Sequence, residues 1–180
     1  LFILSSAREG MSDAQINLII IEAFGISLLT GALCGLLNGL LVGYFRLPPI
    51  LATLGTGSLF TGLAKGLTSG ESIFGYPENL AYLGNGKVLG LPVPFYLFLG
   101  ASIIMYIVLH FTKLGYRMYM TGGNETTAIF SGIDTSSIIM KTYIVAGLLS
   151  GLAAMIILGR TMSANYEYGA STYVLLTIFV

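Results

Sequence analysis

GALCGLLNGLLVG, residues 31–43, sets Gly31, Gly35, Gly39 and Gly43 at intervals of four in a run without charge. A spacing of four stacks these positions on one side of a helix. In water the row is poor helix material, because each glycine costs about 1 kcal/mol relative to alanine. In a bilayer it is a packing device, since a face without side chains lets a second helix approach backbone to backbone. Gly147 and Gly151 repeat the spacing further along, as do Gly62, Gly66 and Gly70. The expected fold is all-α, a polytopic transmembrane helix bundle with small faces on three helices.

Composition agrees. Apolar residues make up 55% of the 180 and charged residues 9%, against about 25% charged in soluble domains. Mean hydropathy is +0.86. The formal net charge is zero, so the chain lacks the basic excess by which proteins hold nucleic acid. Cys34 is the one cysteine and has no internal disulfide partner. The chain opens at Leu1 and ends at Val180 inside TYVLLTIFV. We read it as a piece of a longer protein with partial spans at both ends.

A helix needs about 20 apolar residues to cross the hydrocarbon layer. Four stretches are expected to do so: Asn17 to Tyr44, Leu47 to Thr68, Val93 to Phe111 and Thr142 to Gly159. A fifth starts near Tyr173, and LFILS at the start reads as the end of an earlier span. The second stretch is unusual. Pro48 and Pro49 suit a helix start, and Thr53, Gly55, Thr56, Gly57, Ser58, Thr61 and Gly62 follow. A face so polar fits lipid tails poorly. It is expected to meet other helices, or a water-filled pathway with a break near Gly55 or Gly57.

Polar groups inside the spans are few. Asn38 lies deep beside the glycine row, where its amide must bond a neighbouring helix or a permeating solute. With Thr53, Thr56, Ser58 and Thr61 it forms the candidate pathway set. Glu22 sits near the outer end of the first span and Lys65 late in the second, from which it can snorkel outward. Arg160 flanks the fourth span, and His110 closes the third. A single histidine builds no histidine-rich metal site.

Two connections stand out. Residues 71–92, ESIFGYPENLAYLGNGKVLGLP, mix turn residues, charge and aromatics and read as an extramembrane loop. Residues 112–141, TKLGYRMYMTGGNETTAIFSGIDTSSIIMK, carry Lys113, Arg117 and Lys141. Within them Asn124 is a good N-cap and Glu125 suits the positive end of a helix dipole. Ala128, Ile129 and Phe130 offer apolar contact, and Gly132 is a natural stop. A short capped helix near 124–132 is the expected result, as a surface helix or a docking knob. Lys and Arg counts on the two sides nearly tie, so charge leaves the orientation open.

TKLGYRMYMTGGNETTAIFSGI resembles the coupling loop of permease subunits of ATP-binding-cassette importers, in the ribose, xylose and autoinducer-2 branch. GLLNGLLV and PPILATLGTGSLFTGLAKG resemble the same branch, so the likeness runs from about Gly31 to Arg160. Family members usually carry two alanines where this chain has Thr126 and Thr127.

The resemblance implies one transmembrane permease domain over residues 1–180, multi-pass in a bacterial inner membrane. Residues 71–92 would then be extracytoplasmic and 112–141 cytoplasmic. Gly122, Gly123, Asn124, Glu125, Thr126, Thr127, Ala128 and Gly132 would couple to a separate ATPase carrying ATP and Mg. A second permease subunit and an extracytoplasmic solute-binding protein complete the implied partners, and this chain would hold no cofactor and do no catalysis. A sugar or sugar-like solute is implied, with branched-chain amino acids as the nearest rival. The absence of a GxxxxGK[ST] phosphate loop fits ATP hydrolysis on another chain. The glycine faces are expected to let packed helices shift against one another during transport.

Two other functions compete. An ion-coupled secondary transporter would need a charge or cation site near the midplane. An intramembrane enzyme would need a nucleophile–base pair or a metal cluster. The deep residues are chiefly Gly, Thr, Ser and Asn.

Overall fold

The computed structural model describes residues 13–169. The partial spans expected at the two ends lie outside the described residues. Helix α1 covers Asp13–Gly43. Helix α2, Pro49–Leu67, starts from Pro48 and carries Pro49 in its first turn, where a missing N–H costs nothing. It runs without a break through Gly55 and Gly57, because a helix interior tolerates glycine at about 1 kcal/mol each.

Helix α3, Glu78–Asn85, lies in the 71–92 connection. Strands β1, Lys87–Val88, and β2, Leu91–Pro92, then pair antiparallel. Leu89 and Gly90 join them with φ of 51° and 84°, as a two-residue hairpin with both turn residues left-handed requires. Helix α4 is Val93–Phe111, entered through Pro92 and Pro94. Helices α5, Lys113–Gly123, and α6, Glu125–Phe130, precede α7, Thr135–Thr161. A 3-10 turn at Tyr166–Gly169 closes the described chain.

Helices thus form at all four expected stretches. Among the described residues three of them, Gln15–Gly43, Val93–Phe111 and Thr135–Thr161, are long and apolar enough to cross a membrane. Helix α2 is also 19 residues long, but its threonines, glycines, Ser58 and Lys65 leave it less apolar than the others.

The glycine row of α1 meets α7. A methyl group built on Gly31 would lie 2.3 Å from the Gly147 carbonyl oxygen, and one on Gly35 2.3 Å from that of Tyr143. On Gly39 it would lie 2.8 Å from Met140 Cα, and on Gly43 2.8 Å from the Ser136 oxygen. From the other side, a methyl group built on Gly147 would lie 2.1 Å from the Gly31 oxygen and one on Gly151 2.7 Å from the Ser27 oxygen. Residue numbers rise on one helix as they fall on the other, so the pair is antiparallel. Ser27 Oγ donates to the Gly151 carbonyl at 2.9 Å, an interhelical bond of the kind that substitutes for hydrophobic driving force in lipid.

The small face expected on α2 behaves differently. No described atom lies within 4 Å of where a methyl on Gly62 or Gly66 would sit. Gly70 has φ +78° and lies beyond the helix, in the turn. Four-residue spacing made these glycines accessible to a partner; it did not supply one among the described residues.

At one end of the α1–α7 pair an apolar cluster joins Ile20, Ala23, Tyr76, Leu80, Met155 and Leu158. Helix α3 docks there through Gly84, whose Cβ would meet the Arg160 nitrogen at 2.2 Å. Asn85 Nδ2 donates to the carbonyls of Gly159 and Arg160, each at 3.4 Å. Ile73 and Ala164 exchange both backbone hydrogen bonds at 3.0 Å. The 71–92 connection is therefore a structured cap on the C-terminal end of α7. Helix α6 sits at the other end, about 40 Å away along 27 residues at 1.5 Å per residue.

Candidate functional site

The site is built by three successive side-chain caps. Thr112, with φ −115° and ψ 153°, ends α4 and opens α5, its Oγ accepting from the Gly115 N–H at 3.2 Å. Asn124, with φ −158° and ψ 108°, ends α5 and opens α6, its Oδ1 accepting from the Thr127 N–H at 3.0 Å. Asp134 opens α7 by accepting from the Ser137 N–H at 3.3 Å. Each cap satisfies an orphan donor and redirects the chain. Gly132 stops α6 with φ +76°. The Gly132 N–H donates to Ile129 and the Ile133 N–H to Ala128, at 2.9 and 3.0 Å.

The inner side of α6 is seated on the start of α7. Ala128 is 0% exposed, and Thr135 and Ile138 are buried. Thr135 Oγ donates to Glu125 Oε1 at 3.3 Å. The outer side is free: Thr126 and Thr127 are exposed, and Phe130 is 87% exposed. Of the three apolar residues expected to make contact, only Ala128 is buried; Ile129 and Phe130 project outward. Gly122 and Gly123 end α5 with open space around their α-carbons. The arrangement is a knob seated on α7 through Ala128, with Thr126, Thr127 and Phe130 exposed.

Asn124→Ala removes the cap, which should cost about 1 kcal/mol of local helix stability. Hydrogen exchange of the Glu125–Phe130 amides should quicken about fivefold. Exchange unchanged from the wild type would show that the seat on α7, and not the cap, holds the helix.

Of the candidate pathway residues the structure brings Asn38 and Thr56 together. Thr56, buried, donates to Asn38 Oδ1 at 2.6 Å and so ties α2 to α1. Thr53 donates to the Pro49 carbonyl at 2.8 Å, Ser58 to Leu54 at 3.0 Å and Thr61 to Gly57 at 2.9 Å. These three hydroxyls are satisfied by their own helix. Ser58, two residues from Thr56, faces nearly the opposite way. Thr56→Val should lower stability by about 0.6 kcal/mol, and at most about 1.7, as interhelical bonds in membranes do. Ser58→Ala should do less. Equal losses in thermal unfolding of the solubilised full-length protein would remove the Asn38–Thr56 tie from the account.

The remaining polar residues take local roles. Lys65 Nζ lies 5.7 Å from the Tyr166 ring centroid. His110 stacks on Tyr106 at 4.3 Å. Glu22 and Arg160 are exposed. Among the described residues no group of three or more His, Cys, Asp or Glu is placed to hold a metal ion. The 112–141 connection also holds what the sequence reading missed, the 11-residue helix α5. Its signal was Thr112 as a cap followed by Leu114, Met118 and Thr121 on one face.

Residues 2–180 match the family described as branched-chain amino acid transport system / permease component. The autoinducer 2 import system permease protein LsrD of Escherichia coli (strain K12) is 36% identical over 152 residues, covering 81% of this chain and 46% of that protein. The ribose import permease protein RbsC of Bacillus subtilis (strain 168) is 40% identical over 136 residues, covering 74% of this chain and 42% of that protein. The chain thus spans less than half the length of these relatives. No solved structure gives a significant match.

Proposed function

The chain belongs to the branched-chain amino acid transport system / permease component family, and from that membership we propose that it forms part of the permease subunit of an ATP-driven importer. The solute is a sugar or sugar-like molecule, in keeping with the ribose and autoinducer 2 import named for two relatives. The subunit sits in a bacterial inner membrane and pairs with a second permease subunit. A separate ATPase holds ATP and Mg, and a binding protein delivers the solute from outside. This chain does no catalysis.

One observation carries the reading: the knob Glu125–Phe130 is capped, seated through Ala128 and bare at Thr126, Thr127 and Phe130. In this reading the 112–141 connection is cytoplasmic and the 71–92 cap extracytoplasmic. A stroke of the ATPase against the knob moves α7, and α1 moves with it. The seam brings Gly31, Gly35 and Gly39 against the backbone of α7, the close packing along which the two helices either move together or shift against one another. Neutral polar solutes suit a pathway lined by hydroxyls and amides, with Asn38, Thr53, Thr56, Ser58 and Thr61 as its candidates on this chain.

Affinity purification of the full-length protein from mild detergent tests the class. An ATP-binding-cassette ATPase should co-purify in stoichiometric amount. Solute uptake by the protein reconstituted without any ATPase would overturn the reading.

A further inference from the structure

We propose that α5 is a membrane-interface helix whose exposed face, Tyr116 and Tyr119 flanked by Lys113 and Arg117, binds anionic lipid headgroups. The inference needs only that α4 spans the membrane, and it stands apart from the transport reading.

The level of α5 comes first. Helix α4 has 19 residues, about 28 Å of rise, close to the thickness of the hydrocarbon core. Its last residue, Phe111, is 75% exposed. The extended backbone at Thr112 turns the chain, and Gly115 packs so closely on Leu109 that an added Cβ would lie 2.1 Å from the Leu109 oxygen. The first turn of α5 is therefore beside the last turn of α4, not beyond it. That is the boundary between tails and headgroups.

The face comes second. Gly115 is buried, and Leu114, Met118 and Thr121 are half-buried. On the other side Tyr116 is 64% and Tyr119 58% exposed, with Lys113 and Arg117 alongside. Tyrosine places an apolar ring in the tails and a hydroxyl among headgroups, and Lys and Arg snorkel to the same level. The charge comes third. No acidic residue occurs between Glu78 and Glu125, so the two cations are the only charges that this helix and the span before it present. They complement an anionic leaflet. Juxtamembrane basic residues of this kind attract acidic lipid with an affinity gain of about fivefold per cation.

The 180 residues contain no tryptophan, which gives a clean reporter. Tyr116→Trp is made in the full-length protein, with any tryptophan outside these residues changed to phenylalanine. The protein is reconstituted in phosphatidylcholine vesicles holding phosphatidylglycerol, with bromine on the chains of one lipid or the other. Brominated lipid should quench the fluorescence of the introduced indole, and brominated phosphatidylglycerol should quench more than its mole fraction predicts. Lys113→Gln with Arg117→Gln should remove that preference, about fivefold for each charge. Quenching by aqueous iodide alone, or protection from iodide and lipid together, would overturn the proposal, the latter by showing a protein cover. Equal quenching by the two lipids would also overturn it. Should Tyr116→Trp fail to fold, Tyr119→Trp reports from the same face.

Discussion

Gly35→Leu abolishes the folded α1–α7 pair, whereas Gly25→Leu in the same helix leaves it standing. At Gly35 the first added carbon would already lie 2.3 Å from the Tyr143 carbonyl oxygen and 3.1 Å from Ile144 Cα. Overpacking usually costs about 1–3 kcal/mol because side chains yield. Here the obstacle is backbone, so the helices must part along the seam. The loss should exceed about 3 kcal/mol, a large share of the ~5–15 that holds an ordinary domain together. At Gly25 no described atom lies within 4 Å of the added carbon, and the change gains about 1 kcal/mol of helix propensity. The readout is the yield of monodisperse full-length protein from detergent. Gly39→Leu should follow Gly35→Leu, since its Cβ would lie 2.8 Å from Met140 Cα. Equal yields of the Gly35 and Gly25 variants would mean that the seam does not hold the fold.

Ala128→Phe should cut uptake at least tenfold while the protein still inserts and assembles. Ala128 is 0% exposed, so a phenylalanine ring has no room between α6 and the start of α7. The knob must lift off, which separates Glu125 from Thr135, now 3.3 Å apart. Most of the seam is spared, because the contacts of Gly39, Gly35 and Gly31 lie at Met140, Tyr143 and Gly147, more than one turn further along α7 than Thr135. Ala128→Ser adds one small atom that a helix carbonyl can satisfy, and should keep more than half the uptake. If Ala128→Phe transports like the wild type, the knob's seat has no part in coupling.

Much of this was legible in the sequence, for reasons visible in single residues. Four-residue glycine spacing is a one-dimensional record of a helix contact, and Gly31, Gly35, Gly39 and Gly43 all lie in one. At Gly62 and Gly66 the same spacing lies open among the described residues, because spacing marks a smooth face and says nothing of what covers it. The knob was legible because Asn124 and Gly132 bracket it with the residues that caps and stops demand. Helix α5 was not, because Gly115, Gly122 and Gly123 dilute its helical pattern below notice. Gly115 is there for its approach to Leu109, a tertiary fact. Helix α7 starts at Thr135, seven residues before the apolar run suggested, because Asp134 caps it and a helix can continue past the lipid boundary through Lys141. The hydroxyls of α2 read as a polar face, yet among the described residues only the Thr56 hydroxyl of that face reaches another helix, at Asn38. A threonine or serine in a helix can bond its own carbonyl four residues back, and the sequence looks the same either way.

The central claim is that an ATPase grips the knob around Glu125. A photo-crosslinking amino acid in place of Phe130, a large apolar side chain of the knob that is 87% exposed, tests it in cells making the full-length protein. The account predicts an adduct with an ATP-binding-cassette ATPase on the cytoplasmic side, lost when Ala128→Phe is present on the same chain. An adduct with an extracytoplasmic protein instead, or labelling of a Phe130→Cys thiol by an impermeant reagent added outside intact cells, would contradict it.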